Sequence, residues 1–149
     1  MARTKTSSLA PEAIAEIRDA WLNRLTGLID RFERWSQAQG WSSRRITKNL
    51  SDSTIGPHKA PALLMQEGVT RLLLEPIGPS GPGVEGIVDL YQLPAYDDVA
   101  RLFYEGGQWL VDDSFLGQPN RPENDRAAFQ PLTQEVMEVI LQEMMRRDA

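Results

Sequence analysis

Seven apolar residues, Ile14, Ile17, Trp21, Leu25, Leu28, Phe32 and Trp35, follow one another at steps of 3, 4, 4, 3, 4 and 3. That spacing predicts one long amphipathic helix with a continuous apolar stripe. Glu16, Asp19, Asn23, Asp30 and Arg34 fall on the opposite face, with Asp30 and Arg34 four residues apart, where opposite charges meet. Ser8 is placed to cap the start, with Pro11 tolerated in the first turn. Gly40 suits the left-handed residue after a helix, and Trp41 the apolar contact that follows it. A stripe this long cannot stay in water, so the rest of the chain must supply a layer to cover it.

After Gly40 the period changes from helical to alternating. Residues 44–50, RRITKNL, read as a first strand, and 51–60, SDSTIGPHKA, read as a loop by their Ser, Asp, Gly and Pro content. PALLMQE and VTRLLLEPI read as two strands paired across Gly68, covered on more than one face. Residues 78–86 are a Pro/Gly loop, and GIVDLYQL is the next strand, stopped by Pro94. In YDDVARLFYEGGQWLVDDSF, residues 96–115, the Gly106-Gly107 pair suits a two-residue turn. That turn sets Glu105 opposite Gln108, Tyr104 opposite Trp109, Phe103 opposite Leu110, Leu102 opposite Val111 and Arg101 opposite Asp112. The Asp pairs at its ends, Asp97-Asp98 and Asp112-Asp113, then lie at strand ends, with Asp112 already facing a cation. Residues 116–131 form a polar loop with three prolines. A second helix is predicted over about 132–147, with Leu132, Val136, Val139, Ile140 and Met144 inward and Arg146 and Arg147 at its C-terminal end.

The expected fold is therefore α+β: a long N-terminal amphipathic helix, about six mostly antiparallel strands as a meander, and a C-terminal helix packed on the sheet. Residues 1–7 are a polar arm and residues 8–149 a single domain, without internal repeats. The stripe spans ~32 Å at ~1.5 Å per residue, whereas a six-residue strand covers ~20 Å. One end of the helix should then overhang with Phe32, Trp35 and Trp41, to be covered by the second helix or by a second copy in a homodimer through the first helix.

Composition narrows the class. Hydrophobic residues make up 41 % and charged residues 25 % of 149, ordinary for one globular domain. With no Cys there is no disulfide framework, thiolate metal site or cysteine nucleophile, which fits a cytoplasmic protein. The N-terminus lacks the apolar segment of a secretory signal, and no run approaches the ~20 apolar residues of a spanning helix, so a soluble protein is expected. Residues 1–60 carry ten Lys/Arg against six Asp/Glu and residues 61–149 carry six against fifteen, giving +4 and −9 within the total of −5. An acidic body repels phosphates and makes nucleic acid an unlikely partner.

Few residues carry chemistry. Asp89 lies mid-strand among Val88, Leu90, Ile87 and Tyr91, where a buried carboxyl must be paired or shift toward catalytic range. Asp89 is the first candidate acid; otherwise it pairs with an arginine such as Arg71, Arg101 or Arg45, or faces solvent at a sheet margin. Glu75, before Pro76, is the second candidate acid. His58, the one histidine, sits in the predicted loop with no G-x-S-x-G anywhere in the chain. One His and no Cys would leave zinc to three carboxylates, so no metal or cofactor is expected. No acidic E-x-K arrangement suits a nuclease, because Lys is absent after residue 59. GPSGPG lacks the following helix and Lys of a phosphate loop. Trp35, Trp41 and Tyr96 stand at element ends as candidate partner anchors, and His58 is a further candidate binding residue.

Small size, acidity and a C-terminal amphipathic helix resemble the secretion-type chaperones in composition. Those proteins interrupt their strands with a helix, and no helical pattern falls between residues 41 and 131. The expected function is a non-enzymatic cytosolic protein-interaction module, adaptor-, chaperone- or immunity-like. The alternative is a small-ligand-binding protein or hydrolase-type enzyme using Asp89 and Glu75.

Overall fold

In the computed structural model, which describes residues 9–81, 83–112 and 129–148, the long stripe becomes helix α1, Pro11–Ala38. The helix starts at Pro11 after Ala10, whose side chain makes no capping bond; Ser8 lies outside the described residues. Proline at the first helical position needs no cap to fix its φ. The C-terminal prediction holds. Gly40 adopts φ +89°, its N–H donates to the Gln37 carbonyl at 3.0 Å, and the Trp41 N–H donates to the Ser36 carbonyl at 2.9 Å. These two bonds close the helix, and Trp41 folds back into the core.

Seven antiparallel strands follow among the described residues, each paired with the next in chain order. They are β1 Ser42–Asp52, β2 Gly56–Glu67, β3 Thr70–Gly78, β4 Ile87–Leu93, β5 Asp97–Glu105, β6 Gln108–Asp112 and β7 Gln130–Pro131. Helix α2, Gln134–Asp148, closes the chain. The β5–β6 hairpin has the expected register pair for pair.

The predicted loop 51–60 is mostly strand. Asp52 Oδ2 accepts the amides of Thr54 at 2.8 Å and Ile55 at 3.1 Å, which folds the turn into three residues. The polar and Gly/Pro signals of that segment thus serve a tight hairpin. Pro57 and Pro61 are tolerated because β2 pairs with β3 only from Leu63 onward, so its first half has one neighbour. β7 is a further departure: Val111↔Gln130 and Leu110↔Pro131 add a short strand where a loop was expected.

Both helices pack on one face of the sheet. Trp21, Leu25, Leu28, Ile29 and Phe32 of α1, and Met137, Ile140, Leu141 and Met144 of α2, share a core with Leu72, Leu74, Val88, Leu90, Ala100, Leu102 and Val111. Within α2 the inward residues are 137, 140, 141 and 144, with the partly buried Val136 packed against the same core. Val139 is instead 52 % exposed, because it stands about 100° around the helix from Ile140. α1 is fastened to β1 by Arg45, which binds Asp30 at 2.5 Å and Glu33 at 2.7 Å; Asp30 therefore turns to Arg45 rather than to Arg34.

The expected apolar overhang is absent. Phe32 and Trp41 are buried, and Trp35 is half-buried against the core. The reason is strand length: β1 and β2 have 11 and 12 residues, not six. At ~3.3 Å per residue they reach ~36–40 Å, close to the ~42 Å of a 28-residue helix. No described helix is long and apolar enough to cross a membrane.

Candidate functional site

Strand alternation places Arg71, Leu73, Glu75, Asp89, Tyr91, Arg101 and Phe103 on the face opposite the core, and no described helix covers that face. Asp89 is the register partner of Glu75 on one side and of Arg101 on the other. Its carboxylate is 1 % exposed. Arg101 grips it with both arms, Nε to Oδ1 at 2.6 Å and Nη2 to Oδ2 at 2.7 Å, and the Tyr91 hydroxyl donates to Oδ2 at 3.0 Å. The arginine partner expected for Asp89 is thus Arg101. The Asp89 hydrogen bond holds the Arg101 guanidinium above its ordinary pKa. Burial first, and then the bond to Asp89, push the Tyr91 phenol up to about 12.

Glu75 is bound separately, by Lys48 Nζ at 3.0 Å. Lys48 lies on β1 opposite Ala60, and Ala60 and Ala62 are small enough to let its side chain cross β2. Lys48, Glu75, Asp89 and Arg101 thereby form a row from β1 to β5 in which two neighbouring acids are flanked by two cations. Chemically this row is balanced, two acids against two cations. Asp89 accepts three hydrogen bonds, and Tyr91 stays a neutral donor well above neutral pH. Such a carboxylate fixes the positions of the Arg101 guanidinium and the Tyr91 hydroxyl.

Tyr96, at the turn between β4 and β5, is 49 % exposed and has φ +58°. A side chain with a Cβ is strained in that left-handed region. Its ring meets Tyr91 edge-on, with centroids 5.1 Å apart at 76°. Val99, 38 % exposed, stands on the same strand face as Arg101.

The other candidate residues lie elsewhere. His58 is in β2 opposite Leu50, not in a loop. Its Nε2 accepts the indole N–H of Trp21 at 3.2 Å and its Nδ1 meets the Gly56 carbonyl at 3.0 Å. With Nδ1 donating and Nε2 accepting, the neutral ring ties the first hairpin to a fully buried tryptophan. Trp41 is 5 % exposed in the core, and Trp35 packs 6.2 Å from Phe32. Of the aspartates in residues 96–115, Asp97 pairs through its backbone with Gln92, Asp112 sits opposite Arg101, and Asp113 lies outside the described residues. No three described His, Asp or Glu residues come together as a metal site.

Sequence reasoning found Asp89 and Glu75 but not Tyr91 or Lys48. Asp89-x-Tyr91 carries a usable signal, since residues two apart in a strand share a face. Lys48 carries none, because its reach depends on the two alanines of β2. Taken together, the molecule is an α+β protein whose meander sheet keeps both helices on one side and a charged, aromatic face on the other. No family model matches the chain, and neither a curated protein nor a solved structure matches it.

Proposed function

We propose that the chain is a non-enzymatic protein-interaction module, adaptor-, chaperone- or immunity-like, that meets its partner through the face of the sheet that no described helix covers. The observation that carries this reading is Tyr96: an aromatic held in a strained left-handed turn, half exposed and braced against Tyr91. Glycine or asparagine would sit there at lower cost, so the fold does not ask for tyrosine. Tyrosine and arginine are favoured in interfaces, where a rigid amphipathic ring gives contact area at little entropic cost. The Asp89–Arg101 pair beneath keeps this surface rigid. Catalysis by Asp89 and Glu75 has as its support their being cross-strand neighbours, and both carboxylates are already bound by cations.

The partner is another protein in a cytoplasmic setting. A second copy meeting α1 to α1 has little apolar surface left to bury, since Phe32 and Trp41 are inside. The test is isotope-labelled protein in extract from its native cell. Selective broadening of amides at Tyr91, Tyr96, Val99 and Arg101, lost in Tyr96→Asn while that variant is at least as stable, is the expected result. Broadening confined to α1 and α2, or none at all, overturns the assignment of this face.

A further inference from the structure

On the other side of the sheet a cleft of about 520 Å³ opens between the middle of α1 and the β5–β6 turn, walled by Arg24, Gly27 and Arg31 on the helix and by Tyr104, Gln108 and Trp109 on the hairpin. Small-molecule sites span ~300–1,000 Å³. Aromatic rings hold both guanidinium groups in place: Arg24 lies 4.6 Å from the Tyr104 centroid and Arg31 4.9 Å from that of Trp35. Each donates one hydrogen bond to a backbone carbonyl, Arg24 to Glu85 at 3.0 Å and Arg31 to Leu132 at 2.9 Å. A guanidinium has about five N–H donors, so most are left over.

Neither arginine forms an ion pair with a described residue. Of the acids on the same helix, Asp30 and Glu33 are engaged with Arg45, and Asp19 lies beside Arg18. Two half-buried cations thus lack a counter-ion among the described residues, in a chain of net charge −5. Burial and then repulsion from Arg34 hold the Arg31 pKa below its ordinary value.

Gly27 is a second, independent observation. It lies inside α1, is exposed, and a Cβ built on it would meet nothing within 4 Å. Glycine destabilises a helix interior relative to alanine, and no close packing requires it at this position. Residues 24, 27 and 31 share one helical face, so the bare backbone lies between the two arginines.

We infer that this cleft binds a small organic oxyanion, a carboxylate or a phosphate ester, with a flat apolar body. Arg24 and Arg31 hold the oxygens, as planar guanidinium forks do, and the body lies across Gly27 toward Trp109. The site is separate from the sheet face of the proposed function and does not depend on it.

Amide shifts of the labelled full chain are followed while adding 2-naphthoate, 2-naphthyl phosphate, uncharged 2-naphthamide or inorganic phosphate. At least one organic anion should shift Gly27, Gly107 and Gln108 saturably and bind at least tenfold more tightly than 2-naphthamide. The tighter of the two anions identifies the carboxylate or the phosphate ester as the group recognised. Arg24→Gln with Arg31→Gln should weaken that binding at least tenfold, and Gly27→Leu should abolish it. Gly27→Ala should raise the thermal midpoint, and a lowered midpoint would show that the fold itself needs glycine and overturn the inference. Equal affinity for 2-naphthamide, inorganic phosphate binding as tightly as the organic anions, or no shift at Gly27 and Gly107 also overturns it. The comparison of charged and neutral naphthalenes uses the native chain, so it decides even if a variant fails to fold.

Discussion

Arg101 shows how a residue's partner is chosen by depth. Its register neighbours are Asp89 on β4 and Asp112 on β6, and its two-armed bond goes to the buried Asp89. A carboxylate removed from water has more to gain from a bidentate cation than one near the surface. Removing Arg101 leaves Asp89 with Tyr91 alone, and Arg101→Ala should cost about 3 kcal/mol, at the low end for a broken buried pair because Arg101 is itself half exposed. In double-mutant cycles read by urea denaturation, the Arg101–Asp89 coupling should exceed ~1 kcal/mol and the Arg101–Asp112 coupling stay below ~0.5 kcal/mol. The reverse order would mean that the guanidinium favours Asp112 in solution. Tyr91 adds a pH dependence. Its folded pKa, about 12, lies above the ordinary 10.0, so the folded state favours the protonated phenol. That stabilisation is fully present below pH 10.0 and is lost as pH rises through about 12. Wild-type stability should therefore fall more steeply than that of Tyr91→Phe across this window, and parallel curves would show that neither burial nor the Asp89 contact raises the phenol.

At the scale of elements, closure depends on single positions. α1 stops because Gly40 accepts φ +89° and lets two carbonyls of the last turn be satisfied. Gly40→Ala forces a Cβ into that conformation at a cost of about 1 kcal/mol, a fall of ~2–4 °C in Tm for a chain of this size. An unchanged midpoint would show that the helix end relaxes without glycine. The same logic explains the first hairpin, where composition misled. SDSTIGPHKA holds the residues of a loop, yet only Ser53, Thr54 and Ile55 leave the ladder. Asp52 folds the turn through its own carboxylate, and β1 pairs with everything beyond it. Turn residues mark where a chain reverses, not how far the strands run up to that point.

For the whole molecule, the lengths of helix and sheet match. The long first hairpin reaches as far as α1, so Phe32 and Trp41 are buried within one chain. The apolar end that would have driven α1 to pair with α1 is therefore not on offer. Sedimentation at micromolar concentration should give a single species near 16.8 kDa. A stable species of twice that mass would require a seam other than Phe32 and Trp41, with the half-buried Trp35 and the exposed Val139 as the first residues to change. The charge asymmetry along the chain is also settled at this scale. Basic Arg45 and Lys48 of the first segment are bound to Asp30 and Glu33 within it and to Glu75 of the acidic segment.

Periodicity by itself determined the class of this protein, because a 3.6-residue stripe and a two-residue alternation can be satisfied only by helix and sheet. It also determined the helix end at Gly40 and the β5–β6 register, where local turn geometry sets the pairing. Asp89 was legible as a buried acid needing an arginine, from its neighbours in the strand. Only the tertiary structure decided which arginine it takes, that Lys48 crosses β2 to Glu75, and that His58 faces Trp21 rather than solvent. Each of these joins residues on different elements, and their meeting follows from strand twist, strand length and the small side chains between them. Arg24, Gly27 and Arg31 lie between the two cases. Their spacing is visible in the helix, but that the two cations pair with no described acid follows only once Asp30 and Glu33 have turned to Arg45.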